Sequence, residues 1–122
     1  MIVVAIVAIL AAIALPAYSK YILRSKVRLA QSDLLALSAN VENFRQRTLA
    51  YPDSETQAQR GWSPASKSAD FTFSYTAAEG GYTLSATAGA PLGKASGCVV
   101  SVDASNQRSV GSQCAAVGVS DW

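Results

Sequence analysis

The first 19 residues carry no charged side chain, and nothing else in the sequence constrains the chain as tightly. Met1 to Leu15 reads MIVVAIVAILAAIAL, and Ala17 and Tyr18 extend the run past Pro16. A membrane-spanning helix needs roughly 17–25 mostly apolar residues, so this stretch sits at the lower edge of that length. A signal peptide would place basic residues before the apolar run and a small-residue cleavage site after it. Here no charge precedes the run, and Ala-Leu-Pro-Ala-Tyr is a poor cleavage site. A buried core helix is the other alternative, but a chain of 122 residues leaves too little protein to wrap a rod that is apolar on every side. The run is therefore read as a helix for a membrane or for the core of an assembly.

The helical pattern continues beyond the apolar run. From Tyr18 to about Leu49 there is no Gly and no Pro, and apolar residues recur at Leu23, Val27, Ala30, Leu34, Leu37, Val41 and Phe44. Steps alternating between four and three hold one face of a helix. Arg24, Arg28, Gln31, Asp33, Glu42, Arg45 and Gln46 fill the other faces. One helix over residues 1 to about 49 would be roughly 70 Å long at about 1.5 Å per residue. A coiled coil would use the same stripe, but the stripe lasts about three heptads without regular flanking charges, which favours packing on a sheet of the same chain. Pro16 removes a backbone hydrogen bond and crowds the carbonyl near Ala12. A passive kink and a functional hinge are both open readings of it.

After Tyr51-Pro52 the composition changes. Residues 52–70 are polar, broken by Pro52, Gly61 and Pro64, and read as a long connecting loop with Trp62 anchoring it on the core. Alternation then begins. Phe71, Phe73 and Tyr75 share one strand face, as do Tyr82, Leu84 and Ala86, with Ala77-Ala78-Glu79-Gly80-Gly81 as the hairpin connection. Cys98 to Val102 gives a third strand, Asp103 to Asn106 a turn, and Arg108 to Val110 a weak fourth strand ended by Gly111. The expected fold is α+β: one long helix packed on an antiparallel meander of three to four strands, each covering the other's apolar face. Two parts follow, residues 1–26 as the hydrophobic half of the helix and 27–122 as the head.

Charge and cysteine usage bound the chemistry. Residues 1–28 hold four basic residues (Lys20, Arg24, Lys26, Arg28) and no acidic one, whereas the rest of the chain holds six basic and eight acidic residues, a net charge of −2. The overall +2 is thus no general attraction to nucleic acid. The absence of histidine removes the commonest general base and metal ligand. Ser25-Lys26 and Lys67-Ser68 have no accompanying base, metal cluster or phosphate loop, so the reading is not an enzyme, and neither a cofactor nor a metal site is expected. Cys98 and Cys114 suit a disulfide from the third strand to the final segment, with two buried thiols as the alternative. A disulfide implies an oxidising compartment, whereas a basic flank after an apolar helix points to the cytoplasm. The disulfide is given the greater weight, with residues before Met1 supplying the orienting charge.

MIVVAIVAILAAIALPAYSKY resembles the N-terminal helix of bacterial type IV pilins and of the related type II secretion pseudopilins. The likeness is strong over residues 1 to about 30 and architectural beyond residue 50. In that family a peptidase removes a short basic leader and the new N-terminus is methylated, and a glutamate near that end docks each subunit on its neighbour. None of those residues is present, so the resemblance places Met1 about six residues inside the mature helix. Many relatives carry Gly where this chain has Ala8, and lose helical structure between that Gly and the proline. Ala is the better helix former by roughly 0.8–1.0 kcal/mol, so unwinding is expected at residues 12–16.

The resemblance implies a structural subunit stored in the inner membrane by its helix, with the head in the periplasm, and polymerised into a surface filament for adhesion, motility or DNA uptake. Its partners would be other pilin subunits, the assembly machinery and the prepilin peptidase. Val4, Ala5, Ala8, Ala11, Ala12 and Pro16 are the expected contacts of the helix bundle, because small residues let helices approach closely. Major and minor pilins are both open, with a lean to the minor ones from the Gly-Tyr-Thr-Leu-Ser-Ala-Thr segment, the following Cys and Trp122. A pseudopilin is the alternative, though Asp103 and Asp121 are too few for the Ca²⁺ site that often replaces the disulfide there. A membrane-anchored surface module binding DNA or another ligand is the second class. Its DNA face would use Arg45, Arg47, Arg60, Lys67, Lys94 and Arg108, which acidic residues interleave.

Overall fold

A computed structural model describes residues 1–13 and 18–122. Pro16 lies outside the described residues, and the bend and the unwinding expected near it fall largely there too. The helix α1 is Ile2–Thr48. It ends at Leu49, which takes a left-handed conformation (φ 65°) and donates its N–H to the Arg45 carbonyl, and Pro52 follows three residues later. Arg45 and Arg47 in the last turn suit the negative end of the helix dipole.

The four strands form one antiparallel meander in the order β1-β2-β3-β4: β1 Phe71–Ala78, β2 Gly81–Ala88, β3 Val99–Asp103 and β4 Arg108–Val110. The first hairpin is tighter than expected. Ala77 and Ala78 pair with Tyr82 and Gly81, leaving only Glu79 and Gly80 as the loop, with Gly80 at φ 74°. The third strand begins at Val99, since the Cys98 N–H is spent on the Ala95 carbonyl. In the turn before β4 the Asp103 carboxylate accepts from the N–H groups of Ser105 and Gln107, both at 2.9 Å.

Among the described residues, three short helices lie outside α1 and the strands. Within 52–70, α2 is Glu55–Ala58. Ser54 Oγ caps it by accepting from the Gln57 N–H, and Gln57 Oε1 accepts in return from the Asp53 N–H. The other two are 3-10 helices, Ala90–Ala95 and Ser112–Val117. The first is broken at Gly93, whose φ of 53° only glycine adopts without cost.

One core lies between α1 and the sheet. Val27, Ala30, Leu34, Leu37 and Val41 are fully buried, together with Leu84, Ala86 and Val100. Burial is expected to supply roughly 1.5–3 kcal/mol for each large aliphatic side chain. Leu23 packs on the edge of this core while partly exposed. Phe44, the last residue of the expected stripe, is only half-buried and stays outside the cluster. Tyr82, at the start of β2, already bonds Ser38 and Glu42, so α1 has reached the end of the sheet before residue 44.

Candidate functional site

Residues 2–13 of α1 are exposed throughout. Val4 is 71% exposed, Ala5, Ala8, Ala11 and Ala12 are exposed, and among the described residues the first fully buried position is Val27. The helix is long and apolar enough to cross a membrane. Apolar surface on this scale is normally covered by lipid or protein.

At the level of Arg24 the head begins. Arg24 Nε donates to the Val117 carbonyl at 3.1 Å, and Arg28 Nη1 donates to the Asp121 carbonyl at 3.0 Å. The segment 117–122 is thereby fastened to α1. It ends on Trp122, whose Nε1 donates to the Ser109 carbonyl of β4 and whose ring lies 5.2 Å from the Arg108 guanidinium. Gly118 belongs to this arrangement: a Cβ there would sit 2.9 Å from Arg24 Nη2, and its φ is 78°. Sequence reasoning gives the basic flank no partner in the head, because its partners lie 93 residues away.

Cys98 and Cys114 form a disulfide with Cα atoms 4.7 Å apart. Both are fully buried. The bond joins the residue before β3 to the second 3-10 helix and closes the end of the head.

The connection between α1 and β1 is held by polar side chains of α1. Asn40 Nδ2 donates to the carbonyls of Ala58 and Arg60. The buried Asp33 carboxylate accepts from the N–H groups of Ala65 and Ser66, both at 2.9 Å, and its carbonyl accepts from Trp62 Nε1. Trp62 stands edge-on to Phe73, ring centroids 5.1 Å apart. Trp62 thus anchors the connection, and beside it runs an open groove of about 330 Å³ whose walls include Gln59, Pro64 and Phe73.

At the far end of α1 three tyrosines gather. Tyr82 Oη shares hydrogen bonds with Ser38 and Glu42, Tyr51 Oη donates to Glu42, and Tyr75 stacks on Tyr82. Burial pushes the Tyr82 phenol up to about 12. The Ser38 hydrogen bond pulls the other way, and the Glu42 charge adds to the rise.

The six basic residues considered for a DNA face are spread over the fold, with only Arg45 and Arg47 sharing an element, the last turn of α1. Arg45 pairs loosely with Glu42 and lies over Tyr51, Arg108 lies over Trp122, and Lys94 is in the first 3-10 helix. Arg47, Arg60, Lys67 and Lys94 make no ion pair among the described residues. No group of residues able to hold a metal ion occurs among the described residues.

An exposed apolar helix segment, residues 2–13, carried by a small sheet closed with a disulfide, is the layout of a protein whose helix is covered by lipid or by another protein. Residues 16–101 match the family described as type IV minor pilin ComP, DNA uptake sequence receptor. The chain belongs to this family of type IV minor pilins and is a structural subunit of the type IV pilus. No curated protein matches the chain, and no solved structure matches it.

Proposed function

We propose that this minor pilin is a DNA-binding subunit of the pilus. Residues 1–26 anchor it in the inner membrane before assembly and then join the helix bundle of a mixed filament, through Val4, Ala5, Ala8, Ala11, Ala12 and Pro16. Residues 27–122, held in the periplasm and later on the fibre, bear the DNA contact. Exchange of lipid for packed helices swaps one apolar environment for another, and small residues favour it.

The observation that carries the DNA reading is that at least half of the carboxylates of residues 29–122 are engaged within the chain while most of its cations are not. Asp33, Glu42 and Asp103 accept hydrogen bonds from the head's own donors and Asp70 is paired with Lys26, while Arg47, Arg60, Lys67 and Lys94 are in no ion pair among the described residues. Residues 29–122, of net charge −2, thereby still offer cations to phosphate. The family's description as a DNA uptake sequence receptor supports the same reading.

The test uses the full chain in detergent micelles and fluorescence anisotropy of a labelled DNA duplex across a salt series. Binding should weaken with rising salt, and each of Arg60→Gln and Lys67→Gln should lower the logarithmic salt slope by about 1. No duplex binding at roughly 50 mM salt would sink the DNA reading and leave the structural role standing.

A further inference from the structure

We infer that the groove beside Trp62 is a site for one unpaired nucleobase, with an adjoining pocket for the phosphate next to it. The inference rests on the DNA reading and names a subsite within it.

The groove is walled by Trp62, Pro64, Phe71 and Phe73, with the Gln59 amide and the Thr72 hydroxyl side chain on its lining. Its volume of about 330 Å³ falls in the range of small-molecule sites. Trp62 and Phe73 are only partly buried, so aromatic surface remains open to the groove. Aromatic walls with a few polar groups suit a planar heterocycle, which stacks through its face and hydrogen-bonds through its edge.

A second pocket, of about 150 Å³, shares Phe71 as a common wall. Lys26, Lys67 and Asp70 line it together with Leu29, Ala65 and Ser66. The Ser66 Oγ is buried and has no hydrogen-bond partner among the described residues. That oxygen is too enclosed to meet a molecule in the pocket, so the anion contacts fall to the lysines. Lys26 Nζ stands 3.6 Å from the Asp70 carboxylate, which offsets that buried charge. Lys67, in no ion pair among the described residues, then gives the pocket its net positive charge. An acceptor-rich anion beside an aromatic groove is the chemistry of a nucleotide unit: base in the groove, phosphate on Lys67 and Lys26.

The same geometry excludes paired bases. In a duplex both faces of each base are already stacked, so only a base at a frayed end or in single-stranded DNA reaches the groove.

Binding of oligothymidylate tests this, against an abasic deoxyribose-phosphate oligomer of equal length. The full chain carries Trp122→Phe, which leaves Trp62 as the one tryptophan of the two. Oligothymidylate should change Trp62 emission and bind about tenfold or more tighter than the abasic oligomer, the size expected for one stacked base. Thr72→Tyr, a substitution at an exposed position that fills the groove, should remove that preference. Lys67→Gln should weaken both oligomers. Equal binding of the two oligomers, or an undiminished preference in Thr72→Tyr, overturns the inference. Duplex binding without oligothymidylate binding also overturns it while the DNA reading survives. Failure of duplex and oligomers alike overturns both.

Discussion

Asp33 shows how one side chain organises a distant segment. Its carboxylate holds two consecutive N–H groups of the connection, and its own carbonyl holds Trp62. Asp33→Ala leaves both N–H groups without their acceptor. The expected cost is roughly 1.5–3 kcal/mol, the worth of hydrogen bonds to a charged group, read as a lowered urea midpoint of the full chain in detergent. The Trp62 emission should shift to the red in the same variant as its anchor loosens. Tyr82 makes a pH prediction. Its phenol is raised from 10.0 to about 12 in the folded chain. Below pH 10 both states keep the proton and stability is level. Between about 10 and 12 the unfolded chain loses the proton first, so stability falls as pH rises. Tyr82→Phe should show a shallower fall across that window in denaturation midpoints. Some slope will remain, because burial also raises Tyr51 and Tyr75. Periodicity alone makes Val27, Ala30, Leu34, Leu37 and Val41 legible as core residues, because the i, i+3, i+4 rule is local. Asp33 is not legible in that way, for its partners lie 32 and 33 residues on. Its role exists only once the stripe has seated α1 on the sheet.

At the scale of elements, the two 3-10 helices depend most on a covalent tie. Each is six residues long, and the disulfide reaches from beside one into the other. Closing a 15-residue loop stabilises by roughly 3 kcal/mol in the chain-entropy account. The double variant Cys98→Ser/Cys114→Ser should lose about that much. Hydrogen exchange should locate the loss, with amides at 90–98 and 111–118 exchanging faster while those of the β1–β2 hairpin stay protected. Loss of protection across the whole sheet would show instead that the bond supports the head as one unit. The sheet order is readable from sequence because a meander needs only consecutive hairpins, each marked by turn residues. The short helix α2 has a weaker signature. Ser54 followed by Gln57 is a capping signal, yet four residues flanked by polar sequence carry no hydrophobic period to confirm it. The groove beside Trp62 leaves no such signal, since its walls come from a loop and a strand that only tertiary packing brings together.

The whole molecule is a rod and a head that share one helix. Two guanidinium groups close the junction, Arg24 on the Val117 carbonyl and Arg28 on the Asp121 carbonyl. Arg24→Gln/Arg28→Gln should loosen the residues beyond the fully buried Val119 and move Trp122 into water, a red shift of its emission. Little change is expected in the burial of Val27 through Val41, whose packing is with the sheet. A filament subunit is also a mechanical part. Tension along the rod enters the head at its first attachments, and these are the two arginine bonds, one helical turn apart. Bonds on the same short stretch share a load; bonds strung along a seam fail one after another. The fastening therefore acts as a strain relief for the junction, keeping traction from peeling α1 off the sheet one turn at a time. Stretching single molecules between residue 1 and the head should give a lower rupture force for the double arginine variant, a quantity set by unfolding rate.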